Sequence, residues 1–409
     1  MTFFSIDDRP IVRHADDAIV REVGGREMVL RRARGFAPLS VLLPETRTTS
    51  QLACTTFAGG AHLKNRVALR VGRNAFLSQH IGDLETYEAY EAFKRVIADF
   101  TTLYDARPTT FVCDRHPDYL SARYARLAAE RAYTVQHHVA HVAACMADND
   151  LDATVFGVSW DGTGYGTDRT IWGGEFFVAK EGTFCRVGTF RRFLLPGGEH
   201  AVKEPHRTAL GVLFELFGEE GLQRNDIASV AAFTEKELVV LQHMLVKRLN
   251  SRFTSSVGRL FDAVSSLVGL RHQVRHEGQA AMELEFAFGS VAVHDAYPFR
   301  LIRQAIDGAS MSVVDWGPAI LAVLDDVGRG APLALIAGRF HNMLVDVIVA
   351  QAQEANAERV VLSGGCFQNL YLTERTIERL RQSGFRPYAR TSRRCATGGS
   401  TELSTSNSS

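Results

Sequence analysis

Apolar residues recur along the chain in two rhythms. Phe93, Val96, Ile97, Phe100 and Leu103 fall three or four apart, the spacing that places side chains on one face of an α-helix. The stretch from Met343 to Val349 is apolar enough to predict a buried helix. Val155 to Trp160 reads as a buried strand, and Ile171 to Ala179 is its expected hairpin partner. Val360-Val361-Leu362 predicts a strand running into Gly364-Gly365. A helix from about Gln368 should follow and end at Gly384, a suitable C′ glycine. From about residue 51 onward, strands alternate with helices, which predicts an α/β fold. Residues 8 to 38 read differently, as a small β-rich unit. It comprises Arg9 to Arg13, Ala18 to Val23, a Gly24-Gly25 turn and Met28 to Leu30. Thirty residues of this kind bury too little to stand alone. The unit packs on the rest or is the tail of something larger.

Composition narrows the classes. The 409 residues suggest two or three domains. Lys plus Arg total 46 and Asp plus Glu total 46, so a broadly basic nucleic-acid coat is excluded and no nucleic-acid partner is expected. No unbroken apolar run approaches the ~18 residues of a membrane span, so no membrane association is expected. Met1 to Asp8 lacks the basic and apolar regions of a signal peptide, so the expected location is cytoplasmic. The six cysteines form no Cys-x-x-Cys pair, which leaves His and carboxylates to build any metal site. From Thr391 to Ser409 ten of 19 residues are Ser or Thr, and this tail is expected to be disordered.

Three strand-like runs meet glycine-bearing segments: Ala58 to Asn65, Asp161 to Gly166, and Ser363 to Asn369. Glycine lets a backbone approach an anion and point N–H groups at it. Any one of these is most simply a turn, but three on one chain favour phosphate binding. Gly162, Thr163 and Gly164 are the expected backbone donors, with Lys64 as a point charge and Gly364 and Gly365 closing the other side. Val135 to Met146 reads as a helix in which His137 and His141 stand at i and i+4. Their imidazoles share a face with room for one cation, whereas His138 lies about 100° away. Hydrogen-bonded histidines on an amphipathic helix are the bland alternative. Asp161, at a strand end, tips the balance: two imidazoles and one carboxylate suit iron(II) or zinc.

Longer strings carry a family resemblance. Cys113 to Tyr124, the His137–His141 helix, and Ser159 to Gly166 resemble HypF, the carbamoyltransferases of [NiFe]-hydrogenase maturation. So do Phe76 to Glu85, Trp172 to Phe176, Glu277 to Glu285 and Leu362 to Asn369. The resemblance runs in order over residues 8 to 390 and implies an actin/hexokinase-like (Kae1-like) two-lobed α/β domain. It implies residues 1–45 as the C-terminal remnant of a YrdC-like domain, 46–390 as the Kae1-like domain and 391–409 as a polar tail. In such proteins carbamoyl phosphate and ATP give carbamoyl adenylate in the YrdC-like domain. The carbamoyl group then passes, at a metal site in the actin-like part, to the C-terminal cysteine of HypE. The resemblance implies His137, His141 and Asp161 as metal and catalytic residues. It also implies Lys64, Asn65, Gly162, Thr163, Gly164, Tyr165, Gly364, Gly365 and Asn369 as nucleotide-binding residues.

Two departures qualify these implications. Only the end of the YrdC-like domain is recognisable, so the chain is expected not to make carbamoyl adenylate by itself. The family's closing Asn-Asp-Gly-Gly segment, whose Asp is a further ligand, corresponds here to Cys395 to Ser400, with no acid before Glu402. An O- or tRNA-directed carbamoyltransferase and a non-catalytic remnant are the alternative readings. Lys203 to Arg207 reads as a phosphate contact or a solvated turn, Arg31, Arg32 and Arg34 as part of an adenylate channel or, by default, a charged surface run, and Cys366 as a packing residue.

Overall fold

The computed structural model describes residues 14–43, 55–289 and 291–390. The expected strand from Arg9 to Arg13 and the polar tail lie outside them. Strands β1 (Ile19–Val23) and β2 (Arg26–Arg31) form an antiparallel hairpin. Gly24 and Gly25 turn it with φ of 56° and 74°, values that glycine adopts without strain. The hairpin is anchored elsewhere. Arg21 Nη1 donates to the Gln368 carbonyl at 2.6 Å, and Nη2 pairs with Glu285 at 2.8 Å.

The first lobe is a six-stranded sheet of β3 (Ser40–Leu42), β4 (Thr56–Gly59), β5 (Val67–Val71), β6 (Asn74–Leu77), β7 (Thr110–Asp114) and β8 (Arg131–Val135). Their spatial order is β3-β6-β5-β4-β7-β8. Strand β3 falls inside the expected 1–45 unit, yet it pairs with β6. A three-residue strand has too little periodicity to reveal its partner. Helix α1 (Tyr87–Leu103) buries Phe93, Val96, Ile97 and Phe100 in the core of this lobe, while Leu103 is exposed, so the stripe stops short of the helix end. Helix α2 (Leu120–Ala128) adds Ala122 and Ala125.

The second lobe holds a nine-stranded sheet. Its main path runs β14 (Arg300–Ile306), β15 (Ala309–Asp315), β11 (Thr183–Phe190), β10 (Ile171–Lys180), β9 (Val155–Tyr165), β16 (Arg359–Ser363) and β17 (Arg386–Ala389). Strands β12 (Phe193–Pro196) and β13 (Ser251–Thr254) pair with each other, and β13 with β10. The expected β9–β10 hairpin is present, with Phe156 opposite Val178. The mostly apolar first half of β9 is explained by cover on both faces. Phe156, Val158 and Trp160 join helices α4 (Val257–Leu267) and α6 (Leu333–Ala355) in the main core. Val155, with Phe177 and Val361, packs against Val142 and Cys145 of α3 (His137–Asp148) on the other side. Between α4 and α6 lies α5 (Gln279–Phe286). By length and composition α6 could cross a membrane, but 67% of its most apolar window is buried inside this lobe.

Helix α3 links the lobes. It starts two residues after the end of β8 of the first sheet, with Gln136 between, while its body lies on the second. Gly157 allows this closeness, since a Cβ there would stand 2.7 Å from Val142. The first turn of α3, which carries the histidines, is therefore held at the junction. Helix α7 (Leu370–Gln382) begins two residues later than expected, because Gly365–Gln368 forms a tight 3₁₀ turn. Gly384 follows its end with φ of 84°, as expected.

Candidate functional site

The first turn of α3 and the far half of β9 meet between the lobes. Gln136 caps the helix, its Oε1 accepting from the N–H groups of His138 and Val139 at 2.7 and 3.1 Å. His137 and His141 face Asp161: their Nε2 atoms stand 3.5 and 2.9 Å from its Oδ2. The three side chains each offer a donor atom, all within 4.8 Å of one another. Behind them lies Asp114, at the end of β7, which accepts the Nδ1 proton of His137 at 2.8 Å. That bond fixes the ring orientation and turns Nε2 of His137 toward Asp161. The donor set fits a divalent cation with open positions.

The protons of the metal-free site follow from this packing. Burial, the largest influence on His137, opposes its charge, but the bonds to Asp114 and Asp161 outweigh it and push His137 up to about 10. Burial holds His141 below its ordinary value, against the pull of its bond to Asp161. Burial alone would raise Asp161; the two imidazoles donating to it hold it well below the ordinary carboxylate range. The group is thus one imidazolium, one neutral imidazole and one carboxylate. His138 stays apart, as its position on the helix requires. Its buried ring lies 3.1 Å from Gln136 Nε2, and burial keeps it well below the ordinary value.

The glycine segments divide by role. Asp161 to Tyr165 is not a loop but the continuation of β9. Gly164 gives its space to His138: a Cβ there would lie 2.3 Å from the ring Cε1. Thr163 is exposed, and Tyr165 meets the His116 ring edge-on at 5.1 Å. Gly162 donates its N–H to Asp161 Oδ1 at 2.8 Å. Arg259 Nη2 stands 3.0 Å from where a Cβ of Gly162 would lie, and Glu277 3.8 Å. Gly365 is beside Asp161, with Oδ1 2.8 Å from its own missing Cβ. Gly364, at φ 101°, lets the chain pass the Trp160 carbonyl. Lys64 reaches across from the first lobe to Glu277 at 3.0 Å. Gly162 and Gly365 therefore lie against Asp161, while Lys64 is held by Glu277, whose Oε1 is near Gly162. Asn65 and Asn369 are turned inward instead. Asn65 Nδ2 donates to the Gly60 and Ala61 carbonyls, both at 2.8 Å, and Asn369 caps α7 and meets His341 at 2.9 Å.

Two further expectations change. Lys203 to Arg207 is a helix junction rather than a solvated turn: Glu204 pairs with Arg207, and His206 is buried. Arg32 is buried, not part of a charged surface. Cys366 behaves as a packing residue, because burial pushes its thiol well up, away from thiolate.

Sequence reasoning missed Asp114 as a site residue; a short carboxylate–histidine contact between two elements leaves no local spacing. It also missed a stack of rings, with Tyr119 5.2 Å from His62 and 4.1 Å from His116, nearly parallel to both. Burial, followed by the charges of Asp114 and Asp161, raises the Tyr119 phenol.

Comparison with known proteins defines the class first. Residues 51–148 match the family described as "HypF Kae1-like domain", and 157–399 match "Carbamoyltransferase, Kae1-like Domain, second subdomain". Among solved structures, full-length HypF in its phosphate- and nucleotide-bound form superposes with a TM-score of 0.85 at 35% identity, over 96% of this chain and 60% of that one. HypF of T. kodakarensis gives 0.79 at 28% identity, over 92% and 50%. The chain belongs to the HypF carbamoyltransferase family. It is 39% identical to carbamoyltransferase HypF of Synechocystis sp., over 94% of this chain and 50% of that protein. A HypF homolog of Cupriavidus necator is 32% identical over 78% of this chain and 81% of its own length. The chain spans about half the length of the first of these relatives.

Proposed function

We propose that His137, His141 and Asp161 hold one iron or zinc ion, and that the chain transfers a carbamoyl group from carbamoyl adenylate to the C-terminal cysteine of a HypE-like protein. The observation that carries this reading is the convergence of the three donors at the lobe junction, with Asp114 locking His137 from behind. The ion would supply a Lewis acid at the carbamoyl carbonyl. The protein's own residues set the rest. Asp114 holds the His137 ring so that it cannot rotate away from the reacting group. Gly162 makes room for the Arg259 head group and Gly365 for the Asp161 carboxylate, so both let the backbone lie close to the site. Lys64 offers a cation to the nucleotide phosphate, exchanging Glu277 for it. Cys366 is held as a thiol, so the partner's cysteine meets no competing nucleophile.

We assign formation of carbamoyl adenylate, from carbamoyl phosphate and ATP, to a YrdC-like domain. A cysteine acceptor also requires a reducing compartment, and the cytoplasm supplies one. The test is the mass of a HypE-like acceptor after incubation with this chain, a YrdC-like domain, ATP, carbamoyl phosphate and metal. A carbamoyl increment on the C-terminal cysteine that disappears in His141→Ala supports the reading. No increment, or an equal one without this chain, refutes it.

A further inference from the structure

The N-terminal hairpin reaches toward the lobe junction through one side chain. Arg21, on β1, holds two groups of the second lobe. Its Nη1 donates to the Gln368 carbonyl at 2.6 Å, and its Nη2 to Glu285 Oε1 at 2.8 Å. The same Oε1 accepts the N–H of Leu370, the first residue of α7, at 2.8 Å. Glu285 is 6% exposed and Arg21 27%, so this contact is largely withdrawn from water and outweighs a surface ion pair. A second contact fixes the hairpin tip: the Gly24 N–H donates to Glu374 Oε1 at 2.9 Å. That bond is exposed and joins the hairpin to the body of α7 rather than to the turn before it.

Gln368 closes the turn Gly365–Gln368, and this turn lies against Asp161 and Trp160. Gly365 leaves no slack on that side, since a Cβ there would stand 2.8 Å from Asp161 Oδ1. The buried Phe367 ring stacks on Trp160 with 5.7 Å between centroids. Two internal bonds stiffen the turn: Phe367 N–H to the Gly364 carbonyl at 3.2 Å, and Asn369 N–H to the Cys366 carbonyl at 3.1 Å. A turn this short and stiff moves as a unit, so a shift at Gln368 is felt at Gly365. We propose that Arg21 is a positioning residue for the site at the lobe junction. By holding Gln368 and Glu285 together it sets the turn against Asp161 and fixes where that carboxylate stands, which couples docking of the hairpin to the donor geometry. The inference rests on the reading of His137, His141 and Asp161 as metal ligands. Arg21 bonds to none of the three, so its loss should cost no more than the ~10-fold at the low end for a group bonded directly to a ligand.

The test is zinc titration of the full chain by competition with a chromophoric chelator, with urea midpoints and the visible spectrum of the cobalt(II) form measured alongside. Wild type is expected to bind zinc, and His141→Ala to lose it. Arg21→Ala is expected to weaken zinc by about three- to tenfold and to change the cobalt spectrum at saturation, which reports ligand geometry. Glu374→Ala, which frees only the hairpin tip, is expected to match wild type in both. Arg21→Ala also strands a buried carboxylate, and adding Glu285→Gln removes that charge. The double variant is expected to regain most of the urea midpoint but not the zinc affinity. Unchanged affinity and spectrum in Arg21→Ala, beside loss in His141→Ala, overturn the proposal and leave the metal reading standing. Recovery of affinity together with stability in the double variant, or equal weakening by Glu374→Ala, overturns it too, because the contact would then act only through the stability of the fold. Undiminished zinc binding in His141→Ala refutes the metal reading and the proposal with it.

Discussion

Replacing Asp114 with Asn removes the carboxylate behind His137 while keeping the size of the side chain. Two consequences oppose each other. The first is loss of orientation and ligand basicity, which for a carboxylate behind a metal-binding imidazole costs about 10- to 100-fold in affinity, or ~1.4–2.7 kcal/mol. The second concerns the proton. In the metal-free protein His137 is pushed up to about 10, so at neutral pH an incoming ion must displace a proton from it. Between pH 7 and pH 10 that competition amounts to roughly three tenfold steps, ~4 kcal/mol. The neutral amide of the Asp114→Asn variant cannot stabilise the imidazolium, so His137 falls and competition at pH 7 weakens. The full loss of affinity should therefore be seen near pH 9 to 10 and a much smaller one at pH 7, with a flatter dependence on pH in the variant. Zinc titration by competition with a chromophoric chelator, from pH 6.5 to 9.5, measures this. Parallel curves for the two proteins, or unchanged affinity at high pH, would refute the role given to Asp114.

Three other outcomes follow from the same geometry. Above about pH 7, where histidines held below their ordinary value are neutral folded or unfolded, the metal-free protein should lose stability as pH rises: His137 lies above its unfolded value of 6.5, so its contribution is complete below that pH and gone above about 10. Urea midpoints in chelator at pH 7.5 and 9.5 check this, and a midpoint that rises between them would contradict it. Gly164→Ala places a methyl 2.3 Å from the His138 ring inside a buried strand and should cost more than ~2 kcal/mol, read from urea unfolding; a change within ~0.5 kcal/mol would mean this segment is open rather than packed. Thr397→Asp, which restores the acid that the family resemblance places there, should tighten zinc binding, and equal affinities would show that the tail is misaligned.

The sequence by itself determined the parts whose information is local. The i,i+4 spacing of His137 and His141 put both rings on one helix face, and the structure keeps them there. The apolar runs at Val155 and Met343 marked a strand and a helix that the core covers. The Gly24-Gly25 pair marked a turn because only a backbone free of Cβ strain takes those angles at no cost. Tertiary structure alone decided what depends on a second element arriving from far along the chain. Asp114 is 23 residues from His137, and nothing in its neighbourhood distinguishes it from a strand-end acid until β7 and α3 come together. The three glycine segments looked alike in sequence, yet their surroundings separate them. Gly164 makes room for an imidazole, Gly364 for a carbonyl and Gly365 for the Asp161 carboxylate. A glycine records that space is needed; what fills the space comes from residues the local sequence does not contain.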